Sequence, residues 1–307
     1  MAKYLSTQVE LWLGGYDITP DTTSVEMESM VRDVDSTTLP QTAERVIAGL
    51  RGGSFSHDGF LDSNDAITIT SSSVASPTNI LCATPHGLIS GDTVTIAGHS
   101  GSTPSINGVH TVTVVDTLNY TIPVNVTVGG TGGTSTRGGG TNSAGAALIG
   151  TIPVVTLAVQ GAAGKRCMSG LMLETSFKTP AALGGLLMAT VEGKTDDKVE
   201  IGVVLQPKVT VTTSTNGASL DNSASSANGI MGFLHIFAAD GTATITIEES
   251  SDDGAGDAFA TVLSFTQISG ISSQRVAITG TVERYLRAVI TLGTATSVTA
   301  AVTVARL

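Results

Sequence analysis

The stretch Ser24–Asp62, SVEMESMVRDVDSTTLPQTAERVIAGLRGGSFSHDGFLD, decides the fold class. Its opening residues, Ser24–Val31, alternate: Val25, Met27 and Val31 fall on one side, Ser24, Glu26 and Glu28 on the other. A period of two over that length predicts a half-buried strand. Asp33–Arg51 has no clear period and holds Thr37, Thr38, Pro40 and several charges. It reads as a long ordered loop, and such loops tend to contact partners. Gly52–Gly53 punctuates the chain, and Ser54–Leu61 reads as a second strand.

Composition extends the same reading to the whole chain. Its 307 residues suffice for two or three domains. Apolar residues make up 41 %, enough to build cores, while aromatics are 4 % and charged residues 13 %. Gly, Ala, Ser, Thr and Val dominate, and no long amphipathic helix is visible. Thr/Val/Ile-rich alternation with frequent glycine predicts an all-β fold with many turns.

Before the opening stretch, Gln8–Leu13 (QVELWL) reads as a strand with Val9, Leu11 and Leu13 on one face. Trp12, the only tryptophan, falls on the other face with Gln8 and Glu10. It is expected half-covered by a neighbouring segment, or at a subunit contact, where large aromatics concentrate.

After Asp62 the composition shifts. Residues 64–141 are Thr-, Ser- and Gly-rich, with strands expected near Ala66–Thr70, Asn79–Ala83, Thr93–Ala97, Gly108–Val115 and Asn119–Pro123. Turns are expected at Gly91–Asp92 and Asn107–Gly108. The segment closes in GGTGGTSTRGGGT (Gly129–Thr141), by composition a flexible linker. It reads as a small inserted β domain. Cys82, His86, His99 and His110 raise a zinc question, but their spacing fits no standard ligand pair, so structural roles are expected.

Asn142–Ile149 is the short-helix candidate, with an Asn or Ser cap. Thr151–Val159, Lys165–Phe177, Leu186–Glu192 and Val199–Leu205 read as strands, the last two joined as a hairpin by Thr195–Lys198. In Lys165–Phe177, Leu171, Leu173 and Thr175 alternate against Met172, Glu174 and Ser176. Cys167 enters that strand as a small hydrophobe.

After Pro207 the pattern restarts. Strands are expected at Val209–Thr213, Gly229–Phe237, Thr242–Glu249, Ala258–Phe265, Arg275–Ile278, Arg284–Leu292 and Val298–Val304, a sandwich pattern with a core of its own. Asp252, Asp253 and Asp257 offer clustered oxygens of the kind calcium needs, though a solvated acidic turn explains them as well. Phe233, Phe237, Phe259, Phe265 and Tyr285 mostly sit at alternating core positions, which leaves few rings to stack on a sugar.

Two blocks of the chain resemble a known family. The first runs from a strand ending in Gly15-Tyr16-Asp17-Ile18 through Thr37-Thr38, Thr42–Arg45 (TAER), Gly49–Gly53 (GLRGG) and Gly59–Asp62 (GFLD). The second holds Gly170–Phe177 (GLMLETSF), Leu187–Glu192 and Gly202–Pro207 (GVVLQP). Together they resemble the major tail tube proteins of long-tailed bacteriophages. Ala83–Ile96 resembles small β modules inserted in phage structural proteins. The run Ser250–Gly254 with Phe259, Phe265 and Gly280–Arg287 resembles jelly-roll modules attached to such proteins.

The resemblance implies a tail-tube-type sandwich or barrel with one short helix, split as residues 1–63 and 142–207. To it are added the insertion at 64–141 and a jelly-roll-like sandwich at 208–307. It further implies homo-hexameric rings stacked into a tube in the virion tail, made in the host cytoplasm. Its partners would be the tape-measure protein, the tail tip and terminator proteins, and DNA passing without specific binding. On this reading Glu26 and Glu28 face the lumen, and the loop with Asp33, Asp35, Arg45 and Arg51 contacts a neighbouring subunit or ring. The competing expectation is a capsid decoration or adhesion protein gripping capsid or host glycans, with an enzyme accessory domain further behind.

A net charge of −11 argues against ordinary nucleic-acid binding, which needs cations to neutralise phosphates. No secretory signal is visible at Met1–Leu5, and no apolar run reaches the ~18 residues of a membrane span. Two distant cysteines read as free thiols. No G-x-S-x-G, H-E-x-x-H or G-K-[ST] element is present, so neither an enzyme nor a cofactor is expected.

Overall fold

The computed structural model describes residues 9–35, 46–61, 66–138, 140–180 and 187–307. The fold is nearly all β, with 58 % strand and 3 % helix, and one of its antiparallel sheets curls into a nearly closed barrel. The chain opens with β1 (Glu10–Leu13), β2 (Tyr16–Asp17) and a short 3-10 turn at Thr19–Asp21. Then β3 (Thr22–Asp35) and β4 (Val46–Phe60) form one long hairpin. The insertion supplies β5 (Ile67–Ser72), β6 (Thr78–Cys82), β7 (Thr93–Ala97), β8 (Gly108–Thr111), β9 (Thr113–Val114), β10 (Asn119–Ile122) and β11 (Thr134–Arg137). Helix α1 (Thr141–Leu148) leads into β12 (Val154–Ala158), β13 (Arg166–Lys178), β14 (Met188–Thr195) and β15 (Glu200–Val211). The last third holds β16 (Thr215–Asn216), β17 (Leu220–Asp221), β18 (Ile230–Ala239), β19 (Ala243–Ser250), β20 (Ala260–Ser264), β21 (Ser272–Ile278), β22 (Tyr285–Leu292) and β23 (Val298–Arg306).

The barrel is the order β2-β1-β12-β13-β15-β23-β18-β21. Its ends approach each other: β18 lies against β2, β21 lies against β12, and Ser273 Oγ accepts the Val154 amide at 3.0 Å. The β1–β2 turn sits in that seam. At Gly15, φ is +93°, and a Cβ would fall 2.6 Å from the Ile236 carbonyl oxygen, so only glycine lets the ends meet. Small side chains such as Ala158, Cys167 and Ala301 keep the bore narrow, and Trp12 and Phe237 fill it.

Two further layers flank the barrel. On one side β16, β22, β19 and β20, with β17, form a five-stranded sheet. It packs Ile245, Ile247, Leu286 and Ile290 against the outward face of β18 and β23 (Leu234, Ile236, Ala300, Val302). Strands β18 and β23 are therefore buried on both faces, and that is why they read as unbroken apolar runs. On the other side β3, β4, β14 and the second half of β13 lay Met27, Phe55, Val191 and Met172 over Leu11, Leu13 and Val155, with Ala144 of α1.

The insertion is a seven-stranded sheet in the order β8-β7-β11-β5-β6-β10-β9, with its own core of Ile69, Ile80, Val94, Ile96, Tyr120 and Ile122. It is pinned to the barrel. Arg137 pairs with Asp92 at 3.1 Å and reaches Asp21 of the body at 3.6 Å. Lys208 Nζ bonds Asp17 at 2.8 Å and the Gly91 carbonyl at 3.0 Å. The Thr111 and Thr299 hydroxyls meet at 2.5 Å.

Several expectations are corrected. The excursion Asp33–Arg51 is shorter than a loop of that span: Asp33–Asp35 continue β3, Val46–Arg51 belong to β4, and Arg45 lies outside the described residues. Val31 keeps the parity of Val25 and Met27 but is 52 % exposed, because the hairpin outruns the core beneath it. Trp12 is fully buried, since the sheet curls round its face. The Gly-rich segment 129–141 is no free linker. Within it β11 pairs with both β5 and β7, and glycine is used where strands pass closely.

Thr195–Lys198 does not close a hairpin either, because β14 pairs with β13 and β4 while β15 pairs with β13 and β23. On β13 the buried side is Met172 and Glu174, and Leu173 is exposed. The expected boundary at 207/208 falls inside β15, which runs through Pro207 and pairs with β23 on both sides of it, the register slipping between Gln206 and Val209. The helix stands where the sequence places it, one residue earlier.

That shared sheet fixes what truncation does. Ending the chain at Lys208 removes Ile230, Phe233, Leu234, Ile236, Phe237, Val298, Val302 and Val304, all buried. At about 1.5–3 kcal/mol each the loss is at least ~12 kcal/mol, as large as the whole net stability of ~5–15 kcal/mol of a domain. In residues 1–208, hydrogen-exchange protection is expected to be lost along β13 and β15 while the insertion, which has its own core, keeps its own. Native-like protection of β15 in that fragment would show that it does not need β23.

Candidate assembly surface

The β3–β4 hairpin carries the residues singled out in the sequence. Alternation sends Val25 and Met27 of β3 and Phe55 and His57 of β4 inward, and Glu26 and Glu28 outward. Register sets Glu26 opposite Ser56 and Glu28 opposite Ser54, and continues to Glu192 and Lys194 of β14. The outer face thus carries Glu26, Glu28, Asp58 and Glu192 with Lys178 and Lys194. Hydroxyls hold some of these: Thr190 Oγ1 donates to Asp58 at 2.6 Å and Ser54 Oγ to Glu28 at 3.3 Å. Lys178 pairs with Glu192 at 3.0 Å in the open, where such pairs contribute little.

Among the described residues β3 pairs with β4 alone, so its other edge has no strand partner there. Toward the far end of the hairpin, Met30, Val31 and Leu50 are 40, 52 and 80 % exposed. Asp35 and Arg51 stand exposed beside them, and Asp33 lies on the β3 backbone between. At the near end a groove of about 720 Å³ opens beside the start of β3, lined by Val9, Leu11, Val25 and Leu157 with the hydroxyls of Thr23 and Ser24. Free edge, apolar tip and apolar groove lie along a single strand. Sequence reasoning found the two glutamates; it missed Leu50, whose exposure depends on where the core ends.

The other candidates resolve into structural roles. His86 bonds the Asp116 carbonyl and the Leu88 amide, His99 bonds Ser72 Oγ and the Gly132 carbonyl, and His110 bonds the Ile106 carbonyl. Among the described residues no group of three or more His, Cys, Asp or Glu is arranged to hold a metal ion. Asp252 accepts the amides of Ala255, Gly256 and Asp257, and Asp257 accepts the Ser251 amide and hydroxyl. Those bonds hold both carboxylates below their usual range. Asp253 turns the loop at φ +64°. Burial pushes the Cys82 and Cys167 thiols up to about 11, which leaves them unreactive at neutral pH.

Inside the barrel, His235 Nε2, Thr156 Oγ1, Ser169 Oγ and Thr303 Oγ1 form a chain of contacts at 2.9, 2.9 and 3.0 Å. All four residues are at most 2 % exposed. The His235 ring stands edge-on to Trp12. The sequence offered no signal for this cluster, which draws on four strands far apart in the chain. No protein-family model matches the chain, and comparison with curated proteins finds no relative.

Burial of histidines sets the acid response. Burial pushes His57 down to about 4 and His235 to about 3, and lowers His110. Below pH ~6.5 the unfolded chain takes up protons that the folded chain refuses, so each costs about 1.4 kcal/mol per pH unit until its folded pKa is reached. Glu174, raised by burial to about 8, works the other way between ~4.5 and 8, as do Glu10 and Glu283 over a window that starts at ~4.5, but His57 and His235 each lose across the whole interval and His110 adds to them. The melting temperature is expected to fall steadily from pH 6.5 to 4.5, and less so in His57→Gln. A flat profile there would contradict the buried neutral state.

Proposed function

We propose that this chain is the repeating structural subunit of a bacteriophage tail tube, as its two sequence blocks suggest. The observation that carries the reading is β3: fourteen residues long, paired on one edge only among the described residues, and ending beside exposed Met30, Val31 and Leu50. A long open edge is an aggregation hazard that natural proteins blunt unless another chain uses it. In a ring, neighbours' edges join into a closed barrel and the hazard disappears. Six subunits per ring follow from the family resemblance. Head-to-tail stacking of rings through unlike surfaces then gives an open filament.

In this reading the tube lies in the virion tail, holds the tape-measure protein during assembly, meets tip and terminator proteins at its ends, and later conducts DNA. Glu26 and Glu28 face the lumen, where repeated carboxylates repel phosphate. With a Debye length of ~8 Å at physiological salt, that field reaches well into a narrow bore. The hairpin end with Asp33, Asp35, Arg45 and Arg51 meets a neighbouring copy.

Electron microscopy of concentrated protein tests the assembly. Tubes or stacked rings are expected, whereas a monodisperse monomer would sink the proposal. The double change Val31→Asp with Leu50→Asp is expected to abolish assembly with the monomer melting temperature unchanged, since both side chains are exposed; wild-type-like tubes would remove the hairpin tip from the interface. Glu26→Lys with Glu28→Lys is expected to give particles that assemble but release DNA slowly at low salt, recovering at high salt. Normal release at low salt would place those glutamates outside the channel.

A further inference from the structure

One buried group on β13 is left unanswered by the fold. Glu174 is 3 % exposed, and neither carboxylate oxygen has a hydrogen-bond partner among the described residues. The strand register sets it across from Gly193, then Phe55, then Met27, so no side chain opposite it on β14 can bond it. The helix α1 packs over β13 and β14. Gly145 lies so close to Phe177 that a Cβ would come within 2.2 Å of the ring.

The helix is closed by bonds from the Thr151 hydroxyl and amide to the Leu148 carbonyl at 2.6 and 2.8 Å, while its N-cap, Gly140, makes no side-chain bond and neither terminal turn carries a charged residue. Gly140 at φ +93° precedes it and Gly150 at φ +75° follows it, two positions where the backbone turns as only glycine does easily. Its exit is tied to Glu174 itself: the Gly150 amide donates to the Glu174 carbonyl at 3.0 Å, and the Glu174 amide donates to the Thr151 carbonyl at 3.1 Å.

No cation faces the carboxyl from the described elements around it. Helix α1 (TNSAGAAL) has no ionisable residue. The inward residues are Met172 and Phe177 of β13, Ala189, Val191 and Gly193 of β14, Phe55 and His57 of β4, and Val25 and Met27 of β3. His57, the one titratable group among them, bonds Thr22 and is held neutral above about pH 4. Lys178, Glu192 and Lys194 lie on the opposite face, and Lys198 is paired with Glu200 at 2.6 Å. An ionised carboxylate at this place meets no cation among these residues, and water would stabilise it once the cover moves.

We propose that α1 is a lid, hinged at Gly140 and Gly150, that lifts from the sheet when Glu174 loses its proton and uncovers the apolar face at Met172 and Phe177. Burial alone holds the carboxyl neutral up to about pH 8, so the lid is shut at neutral pH and opens on the alkaline side. Hydrogen exchange at pH 6.5 and pH 9.5, corrected for intrinsic rates, tests it. Protection of residues 142–148 is expected to fall at least tenfold in the wild type while β18 stays protected, and a dye for apolar surface is expected to bind only at the higher pH. Glu174→Gln is expected to keep its protection at both. If that variant does not fold, Glu174→Met, similar in size and without charge, takes its place. Unchanged wild-type protection at pH 9.5, loss of β18 protection together with α1, or equal loss in the uncharged variant would each overturn the lid.

Discussion

The backbone of β13 is hydrogen-bonded along both edges, to different partners in its two halves. From Cys167 to Leu171 one edge holds β12, while from Arg166 to Ser169 the other holds β15. From Met172 to Lys178 its partner is β14, with a bulge between Glu174 and Ser176. The first half therefore belongs to the barrel and the second to the sheet that ends in the β3–β4 hairpin. A one-residue slip would turn Met172 to solvent and Leu173 to the core, and would break both pairings at once. Because the two layers share one strand, the sheet that ends in the long hairpin is continuous with the barrel through β13.

The barrel itself is closed by small residues and polar contacts more than by bulk. Thr156, Ser169, Thr303 and His235 face inward where a larger apolar set would push the strands apart. Each bond in such a chain contributes about 1 kcal/mol net, but an unpaired hydroxyl there would cost more than that. The network thus selects one register among the β12, β13, β18 and β23 pairings. Neutral His235 is part of that selection, since its ring both bonds Thr156 and fills space beside Trp12 and Phe237. The acid sensitivity expected of the fold follows from using imidazole as a filler.

Much of the strand content was legible in the sequence, and the reason is local. Alternation such as Val25-x-Met27 acts over a few residues, so most strands and the short helix could be read, while the tight turn expected at Asn107-Gly108 is instead the end of a ten-residue loop with Gly108 opening β8. What could not be read depends on which faces are covered. Trp12 shares its face with Glu10, a polar-side signature, yet that face is the inside of a barrel. Pro207 looked like a break, yet β15 tolerates it between two pairings with β23 where the register shifts. Glycines from 129 to 140 looked like a linker, although several permit close passage, as Gly130 does beside Ser100 and His99. Glu26 and Glu28 are exposed, opposite Val25 and Met27, and alternation alone is enough to read that. The hairpin tip was missed because exposure of Val31 and Leu50 depends on where the underlying core stops.

The same chain treats its edges unequally, and that contrast bears on assembly. Strand β2, at one end of the barrel order, is two residues long and abuts β18. Strand β21, at the other end, lies against β12 and is bonded to it through Ser273. In the five-stranded sheet β16 and β17 are two residues each and β20 is five. These edges are short or covered, the usual protections against pairing with another chain. Among the described residues strand β3 has neither protection: it is fourteen residues long, carries no proline, and pairs with β4 alone. Among the described residues, then, the other sheet edges are short or covered and the longest one is paired on one side only, and that contrast is what the proposed assembly would use: a second copy of β3–β4 would supply a strand of matching length.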